Sequence, residues 1–69
     1  MSNQIYKQIE LTGSSAGSME EAVQGAIAKA AETIHNIKWF EVTDIRGQVE
    51  NQKIACWQVT VKIGFGVDG

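Results

Sequence analysis

The chain has 69 residues, 43% of them hydrophobic, with seven glycines, no proline and a formal charge of −2. A chain this short buries only about 60% of the surface its unfolded form exposes, so its own core is marginal. Cys56 is the sole cysteine and His35 the sole histidine. An internal disulfide and a Cys/His metal cage are therefore excluded as staples, and self-assembly is the remedy left. The acidic balance, with a pI near 5.2, argues against nucleic acid and anionic membranes, which call for a basic face. No apolar run approaches the roughly 20 residues of a membrane helix. Met1-Ser2-Asn3-Gln4 offers neither the basic start nor the apolar stretch of a secretion signal. The expectation is one α+β domain, residues 1–69, in the cytoplasm.

From Asn3 to Thr12 the residues alternate in character. Ile5, Ile9 and Leu11 share one face, with Lys7 as the exception. Gln4, Tyr6, Gln8, Glu10 and Thr12 share the other. This period of two predicts a half-buried strand, ended by a loop over Gly13–Gly17. Ser18-Met19-Glu20-Glu21 then reads as a capping box. The serine accepts from the Glu21 amide, and the Glu21 side chain reaches back. Met19, Ala22, Val23, Ala26, Ile27, Ala30, Ala31 and Ile34 follow at helical spacing. Four of those eight are alanine, so the stripe is shallow and the helix can lie close to a sheet. Asn36 tolerates a left-handed backbone and is the predicted stop after His35.

Two more strands are predicted, roughly Ile37 to Gln48 and Ile54 to Val67. In the last, Ala55, Trp57, Val59, Val61, Ile63, Phe65 and Val67 hold the odd positions, and Ile54, Cys56, Gln58, Thr60, Lys62, Gly64 and Gly66 the even ones. Glu50-Asn51-Gln52-Lys53 forms a tight turn, although it lacks the glycine that two-residue hairpins favour. With Asn51 and Gln52 as the loop, Phe40 faces Ile63 and Val42 faces Val61 on the side that meets the helix. Trp39 faces Gly64, Glu41 faces Lys62, Thr43 faces Thr60 and Ile45 faces Gln58 on the other. Opposite charges and paired threonines are favourable cross-strand neighbours. A one-residue slip would mix the two faces.

This register places Trp39 on the face away from the helix, opposite a residue without a side chain and with open space beside its indole. Trp57 falls on the helix-facing side and reads as core. Two readings of Trp39 stand: packing against another subunit, and stacking on a flat ligand. Gln58 lies six residues further along the partner strand, about 20 Å away. A small ring system that touches both must sit between chains. Gln58 carries an amide whose donor and acceptor match a ring edge with alternating carbonyl and N–H groups, or is an ordinary exposed residue. Arg46 can grip a phosphate with its two-pronged edge or be a solvated strand end. Its parity places it on the helix-facing side, near the turn. For catalysis the sequence offers no acidic pair, no nucleophile with a base and no metal spacing. Cys56 reads as packing. The glycine loop before the helix lacks the lysine and spacing of a phosphate-binding P-loop.

Taken together, Tyr6-Lys7, Glu10-Leu11-Thr12-Gly13, the capped helix, Trp39-Phe40-Glu41-Val42, Arg46-Gly47, Trp57-Gln58-Val59, Gly64-Phe65 and the terminal Asp68-Gly69 resemble the dodecins, a family of small flavin-binding proteins. The resemblance covers nearly the whole chain. It implies a β-α-β-β protomer whose three-stranded antiparallel sheet partly wraps one helix, and a homododecameric shell. It further implies flavins held in antiparallel pairs between symmetry-related tryptophans, here Trp39, with Gln58 on the isoalloxazine ring. Arg46 matches an arginine of the bacterial branch near that site, and Gln48 stands where archaeal members carry a glutamate. That tilts the ligand towards FMN, with riboflavin and FAD as the other candidates. Some bacterial members also bind coenzyme A. The implied role is flavin storage and sequestration, not catalysis. The alternative is a structural oligomer in which Trp39 is interface packing.

Overall fold

In the computed structural model, residues 3–67 are described. Asp68 and Gly69, which the resemblance used, lie outside the described residues. The elements run β1 (Tyr6–Ser15), α1 (Met19–Ala31), β2 (Ile37–Glu50) and β3 (Lys53–Gly66). They form one antiparallel sheet in the order β1-β3-β2. The α+β class, the three strands and the single helix are those expected. The central strand is the one with the strictest alternation, because it alone has a neighbour on both sides.

Two element ends differ from the sequence reading. Strand β1 continues through Gly13, Ser14 and Ser15, which pair with Val59, Gln58 and Trp57. Gly13 is needed there for space rather than for a turn. A Cβ on it would lie 1.9 Å from the Ala22 carbonyl oxygen, so the helix backbone rests directly on the strand. Helix α1 ends at Ala31, four residues before the expected stop. The amides of Glu32, Thr33 and Ile34 close onto the carbonyls of Lys29 and Ala30. Asn36 does take a left-handed φ of 68°, but it serves as the entry to β2.

The helix start follows half of the expected motif. The Ser18 hydroxyl accepts from the Glu21 amide at 3.1 Å, as predicted. The Glu21 carboxylate does not return to Ser18. It accepts instead from the Ser15 hydroxyl at 2.7 Å, and Ser15 Oγ accepts in turn from the Gly17 and Ser18 amides. The end of β1 is thereby tied to the start of α1.

The core is small. Ala22, Ala26 and Ala30 of α1 pack on Val59, Val61 and Ile63 of β3, and these six are the buried apolar residues among those described. Trp57 lies on the helix-facing side but only half-buried, outside this cluster, so the reading of it as core is corrected.

Beyond the helix, β2 and β3 continue as a bare arm closed at Asn51-Gln52, whose φ values of 53° and 65° define the mirror-image turn that suits strand twist. The radius of gyration is 14.4 Å and the extents are 55 × 20 × 13 Å. A compact chain of this length would have a radius near 11 Å. Ten large apolar or aromatic side chains stay exposed among the described residues, including Phe40, Val42, Ile45, Val49 and Ile54. So elongated a chain leaves more apolar surface bare than a soluble monomer usually does.

Candidate functional site: the outer sheet face

The hairpin register follows the expected one from Trp39 to Val42: Trp39 faces Gly64, Phe40 Ile63, Glu41 Lys62 and Val42 Val61. Then β2 carries one extra residue. Thr43 drops out of the ladder, Asp44 faces Thr60, Ile45 faces Val59 and Arg46 faces Gln58. A second irregularity on β3, at Ala55, restores the expected register for Val49–Ile54 and Glu50–Lys53. Between these two β-bulges every residue of β2 is on the face opposite to the expected one.

Two assignments are corrected by this. Ile45 does not lie beside Gln58 on the outer face. It lines an apolar groove of about 600 Å³ with Met19, Val23, Ile27, Phe40 and Val42, between the helix and the sheet. Arg46 does not point to the helix side. It stands on the outer face directly opposite Gln58, with Ser14 of β1 on the other flank. The sequence does carry a signal for the switch. The apolar positions of β2 change parity between Val42 and Ile45, which a regular strand cannot do.

Trp39 is on the outer face as predicted, but the space beside it is taken by its own ring. A Cβ on Gly64 would fall 2.1 Å from Cε2, 2.3 Å from Cζ2 and 2.6 Å from Cδ2 of the indole. The ring therefore lies across the glycine backbone. Trp39 retains 36% of its exposure and Gly64 is buried beneath it. One flank of the indole is held by the sheet, and the exposed remainder can meet a ligand or a neighbour.

Trp39 and Gln58 are not brought together. Gly64, opposite Trp39, and Gln58 are six residues apart on β3, about 20 Å. Gln58 and Arg46 are brought together, as direct cross-strand neighbours. Between the two ends lie the rows Glu10-Lys62-Glu41 and Thr12-Thr60-Asp44. The threonine row is tied by a 2.8 Å bond between the Thr12 and Thr60 hydroxyls, and the Thr43 hydroxyl donates to the Thr60 carbonyl at 3.3 Å.

One residue was missed in the sequence. Asp44 lies two positions before Arg46 on the same face and takes both Nε and Nη2 of its guanidinium on Oδ2, at 2.9 and 2.6 Å. Spacing alone would have found it once the strand was known, since i and i+2 share a face. Cys56 Sγ lies 3.5 Å from Gln48 Oε1 across the strands. Among the described residues, no group of three or more His, Cys, Asp or Glu is placed to hold a metal ion. Nor, among these residues, is any helix long and apolar enough to cross a membrane.

A β-α-β-β sheet with a shallow alanine helix, a tryptophan spread on its outer face and a polar row at the far end defines a class of small α+β protomers. The family model described as Dodecin matches residues 5–68. A dodecin of Thermus thermophilus is 38% identical over 64 residues, which cover 93% of this chain and 93% of that protein. The solved dodecin of Streptomyces coelicolor superposes with a TM-score of 0.92 at 40% identity, covering 100% of this chain and 99% of that one. That of Streptomyces davaonensis gives 0.90 at 41% identity, covering 99% and 100%. The chain belongs to the dodecin family of small flavin-binding proteins.

Proposed function

We propose that this chain binds flavin (FMN, riboflavin or FAD) for storage and sequestration, without catalysing a reaction, in a closed homo-oligomer of the dodecin kind, a dodecamer. The observation that carries the reading is the Trp39 indole, braced flat on Gly64 with one part of its surface open. The residues suit the ligand. An isoalloxazine ring needs a flat aromatic partner and an amide-like partner for its carbonyl and N–H edge. Trp39 supplies the first and Gln58 the second, with Arg46 beside Gln58 as a further donor. Because Trp39 and Gln58 lie so far apart along the sheet, a single ring reaches both only where two protomers meet. The exposed apolar groove and hairpin arm give those protomers a reason to associate. The proposal extends to flavins and not to coenzyme A, for which no residue stands out.

Indole is a good electron donor to an excited flavin, so binding is expected to quench flavin fluorescence. Titration of FMN and riboflavin with the purified oligomer tests this. A stacked ring is worth about 1–3 kcal/mol, so Trp39→Ala is expected to weaken binding roughly five- to a hundredfold. Gln58→Ala removes one hydrogen bond, worth on the order of 1 kcal/mol, and weakens it about fivefold. Unchanged affinity in Trp39→Ala overturns the stacking reading.

The second reading is a structural oligomer with Trp39 as interface packing, which the extent of exposed apolar surface favours. It is distinguished by the same variant. There Trp39→Ala shifts the assembly to smaller species in a sizing column and changes no flavin signal.

A further inference from the structure

Resting on the flavin reading above, the geometry points to Asp44 as a specificity-determining residue: by occupying the guanidinium edge of Arg46, it lowers the preference of the site for phosphorylated flavins over uncharged ones. The β-bulge at Thr43 brings Asp44 and Arg46 onto the outer face together, next to Gln58. Arg46 then donates both Nε and Nη2 to the Asp44 carboxylate. That edge is the one a guanidinium uses to grip a phosphate with two parallel bonds. With it engaged, an incoming phosphate must displace the carboxylate or approach with a like charge beside it.

An uncharged flavin such as riboflavin meets no such opposition, because the pair as a whole carries no net charge. The remaining charges on this face do not restore an anion site. Lys62, the nearest cation along β3, stands between Glu10 and Glu41. Without Asp44, Arg46 would be the free cation of the row that contains Gln58. Since the Asp44 and Arg46 side chains are 44% and 70% exposed, the effect is modest and salt-dependent.

The test measures the dissociation constants of riboflavin and FMN by fluorescence quenching, for the unaltered oligomer and for Asp44→Asn. It is run at low salt and again near the physiological range. Asp44→Asn is expected to raise the affinity for FMN relative to riboflavin about two- to fivefold at low salt, with a smaller gain at higher salt. Arg46→Gln added to Asp44→Asn is expected to erase that gain. A riboflavin-to-FMN ratio that stays unchanged in Asp44→Asn, or moves towards riboflavin, overturns the proposal alone. Failure of both flavins to bind the unaltered protein overturns the flavin reading, and this proposal with it.

Discussion

Along a single strand, β3, the surroundings change completely. Val59, Val61 and Ile63 are 0–1% exposed under the alanines of α1, whereas Ile54, nearer the turn, is 59% exposed. In the first stretch the partner is in the same chain, and contact is so close that Gly13 has no room for a Cβ beside Ala22. Towards the turn, Ile54 and, on the neighbouring strand, Ile45 and Val49 are equally apolar and stay more than half exposed within the protomer. Apolar content therefore does not tell a core from an interface here. What tells them apart is the surface opposite: the small alanines of α1 close over Val59, Val61 and Ile63, whereas no element of the protomer closes over Ile54.

The difference is broken most sharply at Gly13. Gly13→Val forces the helix off β1 and β3, where the obstacle is backbone rather than a movable side chain. Overpacking of this kind costs about 1–3 kcal/mol or more, a large share of the stability of so small a core. Thermal unfolding followed by circular dichroism is expected to show a large drop in midpoint, or no folded protein. In the open groove beside the helix, Phe40→Asp should do the reverse. Phe40 is 50% exposed, so the protomer keeps its secondary structure while the sizing column shows smaller species.

An intermediate effect is expected at Gly64. Gly64→Ala places a methyl group where the indole lies, so the ring must tilt off the sheet. Tryptophan emission should then shift to the red, and flavin quenching should weaken with the oligomer intact. Gln52→Gly is the smallest change. Gln52 holds a φ of 65°, which costs a residue with a Cβ about 1–2 kcal/mol. Relief of that strain, offset in part by about 0.5–1 kcal/mol for the extra freedom of glycine in the unfolded chain, should raise the unfolding midpoint by a few degrees and leave both regions otherwise as they are.

Much of this was legible because burial imposes a period. The alternation of β3 gave its faces, the Ser18 cap gave the start of α1, and the Phe40–Ile63 and Val42–Val61 pairs gave the hairpin register. The bulges were read less well. An inserted residue such as Thr43 has no distinctive chemistry, and its only mark is a change of parity further on. Arg46 and Ile45 were consequently assigned to the wrong faces, and Asp44 was not considered. The early end of α1 at Ala31 escaped for a related reason. Ile34 keeps the apolar spacing and packs on the core from outside the helix.

The indole on Gly64 has one more consequence. A tryptophan that waits in solution must give up its rotamers when a ligand arrives, a loss of about 0.5–1.5 kcal/mol for an immobilised side chain. Trp39 is confined by the sheet beneath it as the chain folds, with no ligand required. Entropy that would otherwise be lost at each encounter is lost once, during folding. Under the proposed flavin reading, a glycine with no side chain of its own would act on affinity by setting how much freedom its neighbour has left to lose.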